Sequence, residues 1–152
     1  MEYEEIIQKA EIVLGLEGPM DVTARLVDSL VDAGLLPADL RDAAVEAVRA
    51  RETTGACTAL TNGVAIPHAR FEPLKEMRVA IGVHPAGLDC GAVDGMPSKI
   101  FILVLSSPEQ PGVHLKFLGE ITMRLLRPAI RENILIASSP EDVRALLLTV
   151  PL

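Results

Sequence analysis

Lys99-Ile100-Phe101-Ile102-Leu103-Val104-Leu105 carries one charge, and that charge stands at its start. The run is apolar at odd and even positions alike, so it reads as a central strand covered on both faces. Such a strand needs a layer on either side. The fold class this implies is α/β, a mixed central β-sheet flanked by helices on both sides.

The neighbouring segments fit that sheet. Upstream, Arg78-Val79-Ala80-Ile81-Gly82-Val83-His84 reads as a second strand stopped by Pro85. Before it, Gly63-Val64-Ala65-Ile66 follows an Asn62-Gly63 turn signal and runs into Pro67. The proline cannot donate to a sheet ladder, so this strand is expected to end there with His68 held at its tip. Residues 11–15 read as a further strand and residues 4–9 as a short helix. Asp21 is an N-cap for a helix over 22–34, with Val22, Leu26 and Leu30 on one face and Gly34 as its stop. Pro37 opens a second helix whose stripe is Leu40, Ala44 and Val48, fading near Arg51-Glu52. Downstream of the central strand, a third helix is expected from Gly112–His114, with Leu115, Leu118, Ile121 and Leu125 as its buried stripe. Ser139-Pro140-Glu141-Asp142 combines an N-cap, a first-turn proline and first-turn acids, and predicts a last helix over 140–148.

A chain of 152 residues fits a single domain spanning 1–152, with no repeat or low-complexity segment. Hydrophobic residues make up 49% and aromatics 3%, so the core must be aliphatic. The net charge of −7 argues against nucleic acid or an anionic membrane surface as a partner, since either needs a basic footprint. No apolar run is long enough to insert into a membrane, and Met1-Glu2-Tyr3-Glu4-Glu5 lacks a signal-peptide pattern, so a cytoplasmic location is expected. The two cysteines, Cys57 and Cys90, form no CxxC and read as reduced thiols. Glycine-rich phosphate loops, a G-x-S-x-G elbow and an H-E-x-x-H are all missing, and no cofactor is expected.

Chemistry then rests on the histidines with Arg51, Glu52 and Arg70. An accessible imidazole fixed at a strand end is a nucleophile or proton carrier, although a lone histidine after a strand is equally a plain loop residue. His114 stands at a predicted helix start, where free N–H groups and the helix dipole favour an anion. If His68 and His114 converge, one imidazole can attack phosphorus while the other donates to phosphoryl oxygens. Arg51 could pair with that group through its fork, or simply sit solvated in a last helical turn. Arg70 could guide an anionic donor or serve only as surface. Glu52 reads as solvated, and His84 as a loop residue with no role. Two smaller readings stay open: Cys57 and His68 as nucleophile and base, and a metal held by His68, His114 and Cys57.

The chain resembles the IIA domain of the bacterial phosphoenolpyruvate-dependent phosphotransferase system, of the fructose, mannitol and nitrogen-regulatory type. The resemblance rests on Arg51-Glu52, Thr58, Gly63-Val64-Ala65-Ile66-Pro67-His68, Ala92-Val93-Asp94-Gly95, His114-Leu115 with Leu118, and Ser138-Ser139-Pro140-Glu141-Asp142-Val143. It implies that His68 takes a phosphoryl group from the phosphocarrier protein HPr through a phosphohistidine, on Nε2. His114 matches the second active-site histidine and Arg51 the family arginine. The partners it implies are HPr and either a IIB-type domain or a regulatory target protein. The alternative is a binding module that controls a partner kinase, channel or transcription regulator without onward sugar phosphorylation. Two departures stand out. Arg51 lies seventeen positions before His68, one more than the family spacing, and Thr58-Ala59-Leu60-Thr61-Asn62 has fewer glycines than the family segment.

Overall fold

The computed structural model describes residues 1–53 and 58–149. In chain order the elements are α1 (Tyr3–Lys9), β1 (Glu11–Val13), α2 (Val22–Asp32), a 3₁₀ turn (Ala38–Leu40), α3 (Arg41–Thr53), β2 (Val64–Ala65), β3 (His68–Arg70), β4 (Arg78–Leu88), β5 (Ser98–Ser106), α4 (Val113–Leu125), α5 (Pro128–Leu135) and α6 (Pro140–Leu148). The five strands form one mixed sheet in the order β1-β4-β5-β2, with β3 also pairing β5. β4 and β5 are antiparallel, while β1 runs parallel to β4 and both β2 and β3 run parallel to β5.

The expected central strand is β5. Its alternate side chains enter two separate cores, as the period of two requires. Ile100, Ile102 and Val104 pack with Phe117, Ile121 and Leu125 of α4 and with Ile134 and Val143 of α5 and α6. Phe101, Leu103 and Leu105 pack on the opposite face with Leu26 and Leu30 of α2 and Ala44 and Val48 of α3. The sheet is therefore covered on both sides, which is why β5 could be apolar throughout. Helix starts follow local chemistry where it was legible. The Asp21 carboxylate accepts from Ala24 N–H at 3.0 Å, and the Ser139 hydroxyl accepts from Asp142 N–H at 3.1 Å.

Several expectations need correction. Pro67 divides a strand rather than ending it: Val64↔Ile100 and His68↔Val104 continue the same parallel pairing along β5. Val104 N–H donates to the Pro67 carbonyl at 3.0 Å, a bond that does not need the missing proline N–H. Pro85 does not stop β4, which reaches Leu88 through a register shift between Val83 and Leu88. A bulge of this kind is where a sheet tolerates proline. Pro37 opens a 3₁₀ turn, and the α-helix proper begins at Arg41. α5 was not foreseen; it is an eight-residue helix entered at Pro128 that buries only Ile130 and Ile134.

The stripe expected for α4 holds at Ile121 and Leu125, with Leu118 partly buried, but fails at its start. Phe117, Ile121, Arg124 and Leu125 are buried, whereas Leu115 is 67% exposed. Phe117 stacks on Tyr3 of α1 with ring centroids 5.6 Å apart, and the Arg124 guanidinium lies 4.1 Å from the Tyr3 centroid. Tyr3 Oη donates to the Leu147 carbonyl at 2.8 Å, and Arg124 Nε donates to the Thr149 carbonyl at 3.0 Å. This cluster ties α1, α4 and α6 together and sets the rotation of α4 about its axis.

Candidate functional site

The strand pairing places His68 and Arg70 on one face of β3, with Ala69 turned into the α2–α3 core. α4 lies across that face, and its second residue is His114. α3 ends at Thr53, which brings Arg51 in its last turn to the same place. Together they line a cleft of about 230 Å³ whose walls are Arg51, His68, Ala69, Arg70, Val104, Ser106, His114 and Leu118. Thus His68, His114 and Arg51, the three residues the family resemblance matched to its site, meet in one cleft, with Arg70 beside them. Among the described residues no carboxylate lines it, in a chain whose net charge is −7.

Hydrogen bonding fixes how His68 presents itself. Its Nδ1 lies 2.8 Å from the Ile66 carbonyl oxygen. A carbonyl only accepts, so Nδ1 carries the proton and Nε2 holds the lone pair. Ile66 is itself anchored, since its N–H donates to the Thr58 carbonyl at 2.8 Å. This segment therefore acts as a splint for the imidazole. Its turn is held in the same way: Asn62 N–H donates to Asp94 Oδ2 at 2.8 Å and Met96 N–H donates to Oδ1 at 3.0 Å. These two bonds hold the exposed Asp94 carboxyl below the ordinary carboxylate range. Gly63, at φ +76°, completes the turn, and a Cβ there would stand 3.2 Å from the Pro97 carbonyl oxygen. Only glycine fits both demands.

On the α4 side, Gly112 is the N-cap with φ +80°, and no side chain caps the helix. The first-turn N–H groups and the positive end of the dipole therefore lie at the end of α4 that carries His114. Behind Pro67 lies a second hollow of about 290 Å³, lined among others by Asp21, Glu52, Thr58 and Cys90. Burial, reinforced by the Asp21 charge, pushes the Glu52 carboxyl above its ordinary range; a hydrogen bond from Thr58 and the Arg49 charge oppose the shift. Glu52 is exposed, as the sequence suggested, but its carboxyl is also coupled through Thr58 to the splint of His68. The signal missed was Thr58, six positions on.

His84 differs from its expected loop role as well. It is buried within β4, where Nε2 donates to the Gly18 carbonyl at 2.9 Å and Nδ1 accepts from Gly87 N–H at 2.9 Å. Both nitrogens are spent on holding backbone, so its role is structural. Cys57 lies outside the described residues, and with it the Cys57–His68 pair and the three-residue metal reading; Cys90 is exposed. Among the described residues, no group of three or more metal-binding side chains is gathered. A larger depression, about 710 Å³ between Leu35 and Arg78, contains none of the histidines. No helix among the described residues is long and apolar enough to cross a membrane.

The chain is similar to the fructose-specific EIIA component of the phosphotransferase system of Haloferax volcanii, at 34% identity over 125 residues, covering 82% of this chain and 79% of the relative. It is 29% identical over 145 residues to the fructose-specific EIIABC component of Bacillus subtilis, covering 94% of this chain but only 22% of that longer relative. Among solved structures, the nitrogen regulatory protein IIA-Ntr of Neisseria meningitidis superposes with a TM-score of 0.79 at 26% identity, over 95% of this chain and 97% of that one. The mannitol enzyme IIA of Escherichia coli, solved in complex with phosphorylated enzyme IIB, shares the fold with a TM-score of 0.70 at 20% identity, over 90% of this chain and 93% of that one. The model of the phosphoenolpyruvate-dependent sugar phosphotransferase system EIIA 2 family matches residues 5–150, and the chain belongs to that family.

Proposed function

We propose that this protein is a cytoplasmic phosphocarrier whose IIA-type domain accepts a phosphoryl group on His68 Nε2 from an HPr-type phosphohistidine protein. It then hands the group to a IIB-type acceptor or holds it as a regulatory signal. The observation that carries this reading is the Nδ1–H bond to the Ile66 carbonyl, which leaves the Nε2 lone pair as the nucleophile in a cleft that Arg51 and Arg70 line and that holds no carboxylate among the described residues. Phosphoryl transfer asks the protein mainly for position and charge stabilisation, and this cleft offers both.

In the step proposed, the Nε2 lone pair attacks phosphorus, an Nε2–P bond forms, and the donor's N–P bond breaks with its electron pair returning to the donor imidazole. The Nδ1 proton stays on His68 throughout. As the ring gains positive character, the bond to Ile66 strengthens, because a charged donor makes the stronger hydrogen bond. His114 and Arg51 face the transferred group from α4 and α3, where they can donate to its oxygens. The mannitol complex with a phosphorylated IIB supports a IIB-type acceptor, and the likeness to IIA-Ntr supports a regulatory target.

The test is transfer of label from phosphoenolpyruvate through the two general proteins of the system. Wild type is expected to take up acid-labile label that His68→Ala does not, with His114→Ala slowed in onward transfer while its unfolding midpoint stays in place. Stoichiometric label on His68→Ala, or none on folded wild type, would overturn the reading.

A further inference from the structure

The cleft contains one cation the function above does not use. Arg70 lies two residues beyond His68 on the same face of β3, about 6.6 Å along the strand at the usual rise. Its side chain lines the cleft, yet Nε is drawn to Glu72 Oε1 at 3.1 Å, just past the end of the strand. Both side chains of this pair are largely exposed, 66% and 73%. An exposed pair of this kind is weak and easily exchanged. A phosphoryl group on His68 would bring a dianion with three acceptor oxygens within reach of the same guanidinium, and a planar fork suits such a group better than a single carboxylate oxygen.

We propose, resting on the phosphocarrier reading, that Arg70 is a phosphoryl-binding residue held in reserve by Glu72: it pairs with Glu72 when His68 is free and turns to the phosphoryl oxygens when His68 is modified. No covalent bond changes in this exchange; one ion pair replaces another. Glu72 then acts as a competitor that lowers the affinity of the site for its phosphoryl group and so keeps the group transferable. The two residues have opposite effects, which a merely structural pair would not show.

The experiment measures the equilibrium constant for phosphoryl exchange between an HPr-type donor and the full chain. Arg70→Gln is expected to lower it by about two- to fivefold, the range for losing one charged contact at an exposed site. Glu72→Gln is expected to raise it by about two- to fivefold, the range for releasing an exposed pair. The double variant should match Arg70→Gln, since Glu72 acts only through Arg70. Changes of the same sign in both single variants, or additive effects in the double, would overturn the proposal. A second readout does not depend on the donor protein: the Arg70 Nε–H resonance, followed by NMR while His68 is phosphorylated chemically with phosphoramidate. A shift of that resonance in wild type, lost in His68→Ala, supports the exchange even if no HPr-type donor transfers; an unmoved resonance on phosphorylated chain refutes it.

Discussion

Replacing Phe117 by alanine tests the rotation of α4, on which the position of His114 depends. Phe117 is 1% exposed and stacked on Tyr3, and it lies three residues beyond His114 on the same helix. Burying such a ring removes roughly 150–250 Å² from water. At about 25 cal/mol per Å² that burial alone is worth roughly 4–6 kcal/mol, an upper bound because the unfolded chain already hides part of it. Measured Phe→Ala costs in cores run to about 3–5 kcal/mol, and the same range is expected here. Leu115 is the control: it lies two positions away, about 200° round the helix, and its side chain is exposed. Leu115→Ala should therefore cost under about 0.5 kcal/mol. The assay is equilibrium unfolding in urea with the slope checked for constancy, so that midpoint shifts report stability alone. A Leu115→Ala loss equal to or greater than that of Phe117→Ala would mean that α4 is turned the other way, and the cleft with it.

Other consequences can be read with the same equipment. Glu52→Gln should stabilise the protein at neutral pH, because a carboxyl held above its ordinary range contributes stability in acid that is lost as pH rises through its folded value. The gain should shrink towards about pH 4, where the unfolded carboxyl also takes up its proton; an equal gain at both pH values, or a loss at neutral pH, would contradict this. Ser139→Ala removes the acceptor for Asp142 N–H and should cost about 1 kcal/mol, with Ser139→Asp restoring most of it. No loss in the alanine variant would show that Pro140 and the first-turn acids suffice to start α6.

Much of the fold was legible because its signals are local. The unbroken apolar run of β5 announced a strand covered on both faces, Asp21 and Ser139 announced helix starts, and the alternation of elements announced the layers. The same logic failed where two elements compete for one pattern. In α4, Leu115 and Phe117 are both apolar, and periodicity alone allowed a stripe through either. Tyr3, more than a hundred positions away in sequence, decides for Phe117 by offering its ring. α5 was missed because eight residues with two buried isoleucines give too little period to recognise. Pro85 was read as a stop because the sequence cannot show the bulge that accommodates it.

For the site, the sequence by itself determined the chemical kinds: two histidines and an arginine in an acidic chain, without the ligand spacing of a metal centre. What only the tertiary structure decided is their relation. Parallel pairing of β3 on β5 aims His68 at α4, the end of α3 brings Arg51 to the same cleft, and the Ile66 carbonyl assigns the proton to Nδ1. The pairing of Arg70 with Glu72 and the coupling of Glu52 to Thr58 likewise belong to the folded chain. The physical reason is range. Propensity, capping and period act over a few residues, while the direction of a side chain and the field around it are set by contacts made across the whole chain.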